Sequence, residues 1–202
     1  MAIEGILLLT ASIVLNYYAA FYATEKASNS VTDIVLSNIP VFDVDGTFVY
    51  GPILVWLVVI FLCLKKPSRI PFTLKSIALF VFIRSVFVSI THISPFPDQI
   101  AIGSANFIYK FSSGADLFFS AHTGLPFLMA LTFWGLFYPR IFFILSSIFF
   151  GIIVLLGHLH YSIDVLAAFF ITYSIFSIAE SIFKADRKIF HISIGTEDAQ
   201  SF

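Results

Sequence analysis

Charged residues and cysteine are both scarce in this chain of 202 residues. Only 11% of its residues are Asp, Glu, Lys or Arg, whereas about a quarter of a soluble globular protein is charged. The single cysteine, Cys63, cannot form an internal disulfide, which excludes a disulfide scaffold. The net charge of −1 provides no basic surface for nucleic acid. We therefore expect no nucleic-acid partner.

Apolar residues fill the chain instead. They make up 59% of the sequence, and the mean hydropathy is +0.98. A small soluble domain cannot hide so much apolar surface, because a large share of its residues lies at the surface. The same composition excludes a disordered chain. The sequence therefore predicts a multi-pass membrane protein in a lipid bilayer.

Six stretches are apolar enough to cross a bilayer as helices, which takes about 20 residues each. They are 4–23, 48–64, 74–94, 115–138, 140–157 and 161–183. We predict an all-α fold, in which residues 1–183 form a bundle of six transmembrane helices. A short polar tail over 184–202 follows on the cytoplasmic side.

The lysines and arginines predict the orientation of this bundle. Eight of the 11 lie in the second connection, the fourth connection and the tail, and the first and third connections hold one each. Basic residues favour the cytoplasmic side of a membrane. We therefore expect both termini in the cytoplasm and the odd-numbered connections on the outer side, whether periplasmic, lumenal or extracellular. The remaining cation, Arg84, falls inside the third span.

Polar and ionisable residues gather near the outer ends of three predicted spans. They are Arg84 and Thr91 on the third, Asp116, Ser120, His122 and Thr123 on the fourth, and His158, His160 and Asp164 on the sixth. Ionisable groups are costly inside a membrane and generally mark functional sites. The convergence of three segments on one leaflet predicts such a site at the outer end.

The residue types predict phosphoryl transfer. His160 and Asp164 are four residues apart, so we expect them on one helix face, where the carboxylate can orient the imidazole as a nucleophile. His122 can move protons to and from hydroxyl groups near neutral pH. Arg84 can stabilise charge on phosphate oxygens. The sequence lacks a metal motif such as H-E-x-x-H, so we expect no metal and no cofactor.

These residues can also be explained by helix packing or solvation, and this interpretation stays open beside the catalytic one. Polar side chains such as Ser120 and Thr123 commonly join helices in membranes. His92 and His158 fit a packing or solvated role. If the whole cluster served helix packing, the chain would be a non-catalytic lipid-binding or transport protein. That hypothesis predicts His122 and His160 on different sides of the bundle.

Three segments resemble the sphingomyelin synthases and their relatives in the PAP2 (lipid phosphate phosphatase) superfamily. Residues 160–164 read H-Y-S-I-D and resemble that family's H-Y-[ST]-x-D segment. Residues 116–123 resemble its D-x3-S-G-H-T segment, with Ala121 in the place of the glycine. Arg84 and Thr91 resemble its R-x6-T element. The resemblance covers about residues 40–180 and implies a six-span synthase core.

The resemblance also implies a mechanism. His160 would attack a phosphodiester lipid and form a phosphohistidine, with Asp164 orienting it and His122 handling the protons. The donor would be a phospholipid, and the acceptor would be ceramide or diacylglycerol. Substrate-binding roles are implied for Arg84, Thr91, Asp116, Ser120, Thr123 and Tyr161.

The same residues fit a hydrolase that uses water as acceptor, either a lipid phosphatase or a phospholipase C-like enzyme. The plain PAP2 phosphatases carry a K-x6-R-P element and an arginine six residues before the nucleophilic histidine. This sequence lacks that element, and Val154 stands at the arginine's position. A phosphomonoester carries about −1.5 to −2 charge and calls for several cations. Arg84, the single cation within the spans, favours a diester and therefore the transferase.

Overall fold

The structure is a computed structural model that describes residues 2–100 and 117–198. Seven α-helices follow one another over these residues. They are α1 (Ala2–Glu25), α2 (Asp45–Lys65), α3 (Ile70–Ile90), α4 (Ala121–Thr132), α5 (Phe137–Leu156), α6 (Ser162–Ile182) and α7 (Lys184–Asp198). No strand occurs in the described ranges. The prediction of an all-α fold is confirmed.

Five of these helices, α1, α2, α3, α5 and α6, are long and apolar enough to cross a membrane. The chain is therefore a multi-pass membrane protein. The fourth predicted span, 115–138, contains only the 12 residues of α4. A helix of that length is about 18 Å long, whereas the hydrocarbon core of a bilayer is about 30 Å thick. The structure thus reproduces five of the six predicted spans at full length.

The short helix α4 lies at the centre of the bundle. It packs against α3, α5 and α6, and its residues Leu128, Met129 and Ala130 are fully buried. Gly124 allows this close approach, because a Cβ there would lie 2.7 Å from the Phe80 ring and 2.9 Å from the hydroxyl of Thr172. The helical part of the apolar run that predicted a span is thus largely covered by protein, as is typical of short core helices.

The turn between α4 and α5 also differs from the prediction. The predicted spans meet at Pro139, but the helical turns end at Thr132 and α5 begins at Phe137. Pro139 lies in the first turn of α5, where its missing N–H would have had no helical partner anyway. A proline near an apolar run therefore marks the start of this helix rather than the connection before it.

The predicted polar tail forms a helix that is docked on the bundle. Helix α7 packs against α3 and α6. Arg69, which is fully buried, donates to the Ser193 hydroxyl of α7 at 3.2 Å and to the Leu62 carbonyl at 3.3 Å. The tail is therefore part of the folded bundle.

Two further buried cations hold α7 in place. The Lys75 ammonium lies 2.7 Å from the Asp186 carboxylate of α7 and 2.8 Å from that of Glu4 in α1. Arg187 donates to the Glu180 carboxylate at 2.8 Å. We call the end of the bundle that contains Arg69, Lys75 and Arg187 the basic end.

The opposite end of the bundle contains the starts of α4 and α6, and we call it the histidine end. Two connections, 26–44 and 91–100, are hydrogen-bonded to each other and to the residues before α6. Ser28 donates its backbone N–H to the His92 carbonyl at 2.8 Å, and Phe42 donates to the Leu156 carbonyl at 2.9 Å. Both connections are thereby fixed next to His160.

Candidate active site

The start of α4 is built from Ser120 and Thr123. Ser120 is the N-cap residue, and its hydroxyl accepts from the Thr123 backbone N–H at 3.4 Å and from the Thr123 hydroxyl at 3.3 Å. Ser147 of α5 donates to the Thr123 carbonyl at 2.7 Å. Both predicted substrate-binding hydroxyls are fully buried. In this structure they fix the turn that carries His122.

His122 lies in the first turn of α4 and faces an apolar cavity. Its ring stacks on Phe48 with the centroids 4.0 Å apart. The cavity has a volume of about 140 Å³ and lies between α2, α4 and α5. His122 is the polar member of its lining, which otherwise includes Pro52, Val55, Trp56, Leu125 and Phe150. The imidazole therefore faces the space in which an apolar chain fits.

His160 precedes α6, which begins at Ser162, so it does not share a helix face with Asp164. Asp164 is the third residue of the helix, and its Oδ2 accepts from the Tyr161 backbone N–H at 3.0 Å. This is the usual return bond of an acidic residue in a first helical turn. The predicted proximity of His160 and Asp164 is present, but it results from the cap.

The predicted hydrogen bond between His160 and Asp164 is absent from this turn. His160 Nδ1 lies 3.5 Å from Asp164 Oδ2, and Nδ1 has no hydrogen-bond partner in the structure. The same oxygen, Asp164 Oδ2, accepts from the Tyr161 backbone. His160 and Asp164 are only 7% and 1% exposed. An imidazole nitrogen without a partner is thus buried beside a carboxylate.

The segments around His122 and His160 meet at the histidine end. The Ser120 backbone N–H donates to the Asp164 carbonyl at 3.3 Å, which joins the start of α4 to the first turn of α6. His160 and Arg84 are both close enough to His122 to act on it electrostatically. Among the described side chains, no three His, Cys, Asp or Glu residues are grouped closely enough to hold a metal ion.

Arg84 reaches this site from α3. It is 6% exposed, its Nε donates to the Phe119 carbonyl at 3.0 Å, and its Nη1 donates to the Asn16 side chain at 3.3 Å. Phe119 directly precedes the cap of α4. Arg84 therefore brings positive charge to the site and at the same time fixes the chain that leads into α4.

The other predicted substrate-binding residues have different positions. The Tyr161 hydroxyl donates to the Ser94 carbonyl at 2.8 Å and accepts from the Val31 backbone N–H at 3.3 Å, so it holds the two outer connections. Thr91 follows the last residue of α3 and is half-buried. Asp116 lies outside the described residues.

Sequence reasoning missed Asp33 at this end and gave His158 a packing or solvated role. Asp33 is 7% exposed and accepts from the Ser162 backbone N–H at 2.7 Å. No spacing marked it, because it stands alone in a polar connection. His158 is 3% exposed, has a positive φ of 54° and has both ring nitrogens without a partner. Its ring meets the edge of Phe96 at 5.2 Å, so the packing interpretation describes only part of its environment.

Residues 114–181 match the family model of the PAP2 superfamily C-terminal domain. The match covers about a third of the chain and includes His122, His160 and Asp164. No curated protein and no solved structure matches the chain significantly. The match supports the PAP2 superfamily, and with it phosphatase or phosphotransferase activity on lipids, for the part of the chain that carries both histidines.

Proposed function

We propose that this chain is a membrane phosphotransferase. It moves a phospho head group from a phospholipid donor to a lipid acceptor, ceramide or diacylglycerol, as in the sphingomyelin synthases that its motifs resemble. The position of His122 carries the proposal, since this residue is within electrostatic reach of His160 and faces an apolar cavity. That arrangement fits a lipid whose phosphate lies at the histidines while a chain occupies the cavity.

The first half-reaction loads His160. A ring nitrogen of His160 attacks the phosphorus of the donor diester. The bond from phosphorus to the diacylglycerol oxygen breaks, and protonated His122 gives its proton to that oxygen. The products are diacylglycerol, a phosphohistidine and neutral His122.

The second half-reaction transfers the head group. The acceptor hydroxyl gives its proton to His122, and its oxygen attacks the phosphorus. The bond from phosphorus to the His160 nitrogen then breaks. Both histidines return to their starting protonation, so no external acid or base is needed.

Asp164 and Arg84 supply charge to these steps. The carboxylate of Asp164, 3.5 Å from His160 Nδ1, stabilises the positive charge that develops on the imidazole during attack. Arg84 stabilises negative charge on the phosphate oxygens. A diester carries one negative charge, which suits a site with one arginine better than a doubly charged monoester does.

Water is the competing acceptor, and the cavity argues against it. Apolar side chains such as Val55, Trp56 and Phe150 line the space beside His122, and such walls exclude water from a reactive intermediate. A lipid acceptor brings its hydroxyl to the same place with its chain against those walls.

The test uses purified protein in liposomes that contain a phospholipid labelled in its head-group phosphate. We expect the label in a new lipid only when ceramide or diacylglycerol is supplied, and an acid-labile phosphate on the peptide that contains His160. Release of the label as a soluble head group, whatever acceptor is present, would show the hydrolase instead. Folded protein that neither transfers nor releases label would exclude both reactions.

We also infer that both termini lie in the cytoplasm and that the histidine end faces the outer side. The inference rests on the basic residues in the second connection and the tail. The variant Asp43→Cys, at an exposed position and in a background with Cys63→Ala, tests this inference. We expect a membrane-impermeant maleimide to label this position from the side of the membrane opposite the cytoplasm. Labelling from the cytoplasmic side alone would reverse the orientation.

A further inference from the structure

Asp33 is a buried carboxylate in the connection between α1 and α2. It is 7% exposed, and both of its oxygens accept hydrogen bonds from backbone N–H groups. Oδ2 accepts from Ser162 at 2.7 Å, and Oδ1 accepts from Val35 at 2.9 Å and from Leu36 at 3.2 Å. Burying a carboxylate is costly unless such bonds replace its water. Asp33 therefore joins its own connection to the first residue of α6.

Helix α6 uses this carboxylate because the residues at its own start leave the Ser162 N–H without a local acceptor. Ser, Thr, Asp or Asn normally caps a helix start by accepting from the first free N–H groups. The N-cap residue of α6 is Tyr161, and its hydroxyl is engaged with Ser94 and Val31 instead. Asp164 satisfies the Tyr161 N–H. The Ser162 N–H is satisfied by Asp33, 129 residues away along the chain.

His160 lies immediately before this cap. Because it precedes the helix, its position depends on the bonds that define the turn into α6. Two of these bonds reach carboxylates, the Tyr161 N–H to Asp164 and the Ser162 N–H to Asp33. Without the second bond, the Ser162 N–H loses its carboxylate acceptor, and the turn that carries the imidazole is held less firmly.

We propose that Asp33 is a positioning residue for His160, a role that rests on the function proposed above. Asp33 acts through the backbone of Ser162 and does not touch the substrate. Its carboxylate fixes the start of α6, and with it the direction in which the His160 imidazole faces His122. Displacement of a reacting group by about 1 Å costs on the order of 100-fold in rate.

The test compares Asp33→Ala and Asp33→Asn with the wild-type protein in the liposome transfer assay. Asp33→Ala loses the bonds from the Ser162, Val35 and Leu36 backbones together with that from the Ser162 side chain. We expect kcat to fall by about 10- to 100-fold while KM for the phospholipid changes much less. Asn keeps one oxygen acceptor, so Asp33→Asn should fall between the two and remains informative if the alanine variant folds poorly. A larger effect on KM than on kcat would assign Asp33 to substrate binding and overturn the proposal.

Asp43→Ala is the matched control. Asp43 lies in the same connection, is exposed, and accepts from the Asp45 backbone N–H at 3.1 Å at the start of α2. It therefore caps a helix that carries neither histidine. We expect wild-type turnover from this variant. An equal loss of turnover in both alanine variants would mean that any damage to the connection inactivates the enzyme.

Amide hydrogen exchange gives a readout that does not depend on activity. We expect the peptide over 157–163 to exchange faster in Asp33→Ala and at the wild-type rate in Asp43→Ala. Unchanged exchange would overturn the anchoring of α6, and faster exchange with full turnover would overturn the positioning of His160. A wild-type protein without transferase activity would overturn the proposed function, while exchange would still report on the anchor.

Discussion

The two ends of the bundle bury ionisable groups differently. At the basic end, Lys75 lies between the carboxylates of Asp186 and Glu4, although the second oxygen of Asp186, Oδ1, has no partner. At the histidine end, His160 Nδ1 and both ring nitrogens of His158 are buried without a partner. A satisfied buried ion pair stabilises one arrangement of helices, whereas an unsatisfied polar atom costs free energy of folding. The comparison indicates that the ion pairs of the basic end stabilise the fold. At the histidine end, the buried imidazole nitrogens without partners cost folding free energy, and we interpret this cost as the consequence of their catalytic role.

The sharpest test of this comparison is His160→Ala. We expect transfer to fall by at least about 10³-fold, because the nucleophile is lost. The melting temperature in detergent should stay the same or rise, since the substitution removes a buried nitrogen that has no partner. His191→Ala, at an exposed position of the basic end, should keep full turnover. Wild-type turnover by His160→Ala would reject this residue as the nucleophile.

Lys75→Ala should give the reverse result at the basic end. It leaves the Asp186 carboxylate of α7 buried without its cation. We expect the free energy of unfolding to fall by about 3 kcal/mol, with turnover per folded molecule unchanged. Denaturation in detergent, followed by helix content, measures the first quantity. The control is Lys188→Ala, at an exposed position of α7. Equal stability of the two variants would contradict the role of the ion pair.

Gly124→Ala tests the helix that connects the two ends. Its Cβ would lie 2.7 Å from the Phe80 ring, so α4 has to shift. We expect a loss of about 1 to 3 kcal/mol in unfolding free energy, together with lower turnover because α4 carries His122. Gly46→Ala, which meets no atom within 4 Å, should be neutral or slightly stabilising. Equal stability of the two variants would show that the core adapts to the extra methyl.

The smallest expected effect is the acid dependence of the Asp33 anchor. Burial raises the pKa of Asp33, but the hydrogen bonds from Ser162, Leu36 and Val35 outweigh it, so the pKa lies below its ordinary value of 3.8. A carboxyl group whose pKa is lower in the folded state stabilises the fold at pH values above its unfolded-state pKa. This contribution is lost as the pH falls through the folded-state pKa. The melting-temperature difference between wild type and Asp33→Asn should therefore shrink below about pH 4. A constant difference down to pH 3 would contradict the charged anchor.

Hydropathy was enough to predict the long helices, because a lipid-facing helix needs an uninterrupted apolar run. It could not separate α4 from them. Leu128 and Met129 look the same in sequence whether lipid or protein covers them, and only the structure shows that α3, α5 and α6 do so. The sequence predicted the tail only as polar, because nothing in it shows that Asp186 and Arg187 have partners in α3 and α6.

The candidate site was predictable as a set of residues and less so in its details. The scarcity of charge made His122, His160 and Asp164 visible, and the structure brings them to one end. Spacing alone placed His160 on a helix, whereas α6 begins only at Ser162, two residues after His160, with Asp164 bonded to the backbone of its N-cap residue. Asp33 had no local pattern, because its partner Ser162 is distant in sequence.

Because α4 is short, two arginines that contact its ends have a second role. A 12-residue helix has its free carbonyl groups, and the non-helical chain before it, within the thickness of the membrane, where lipid tails offer no hydrogen bonds. Arg84 donates to the Phe119 carbonyl before the helix, and Arg187 donates to the Thr132 carbonyl at its end. These guanidinium groups take the place that water has at the ends of a helix in a soluble protein. The protein can thus keep a short helix at a depth where lipid alone would leave its ends without hydrogen bonds.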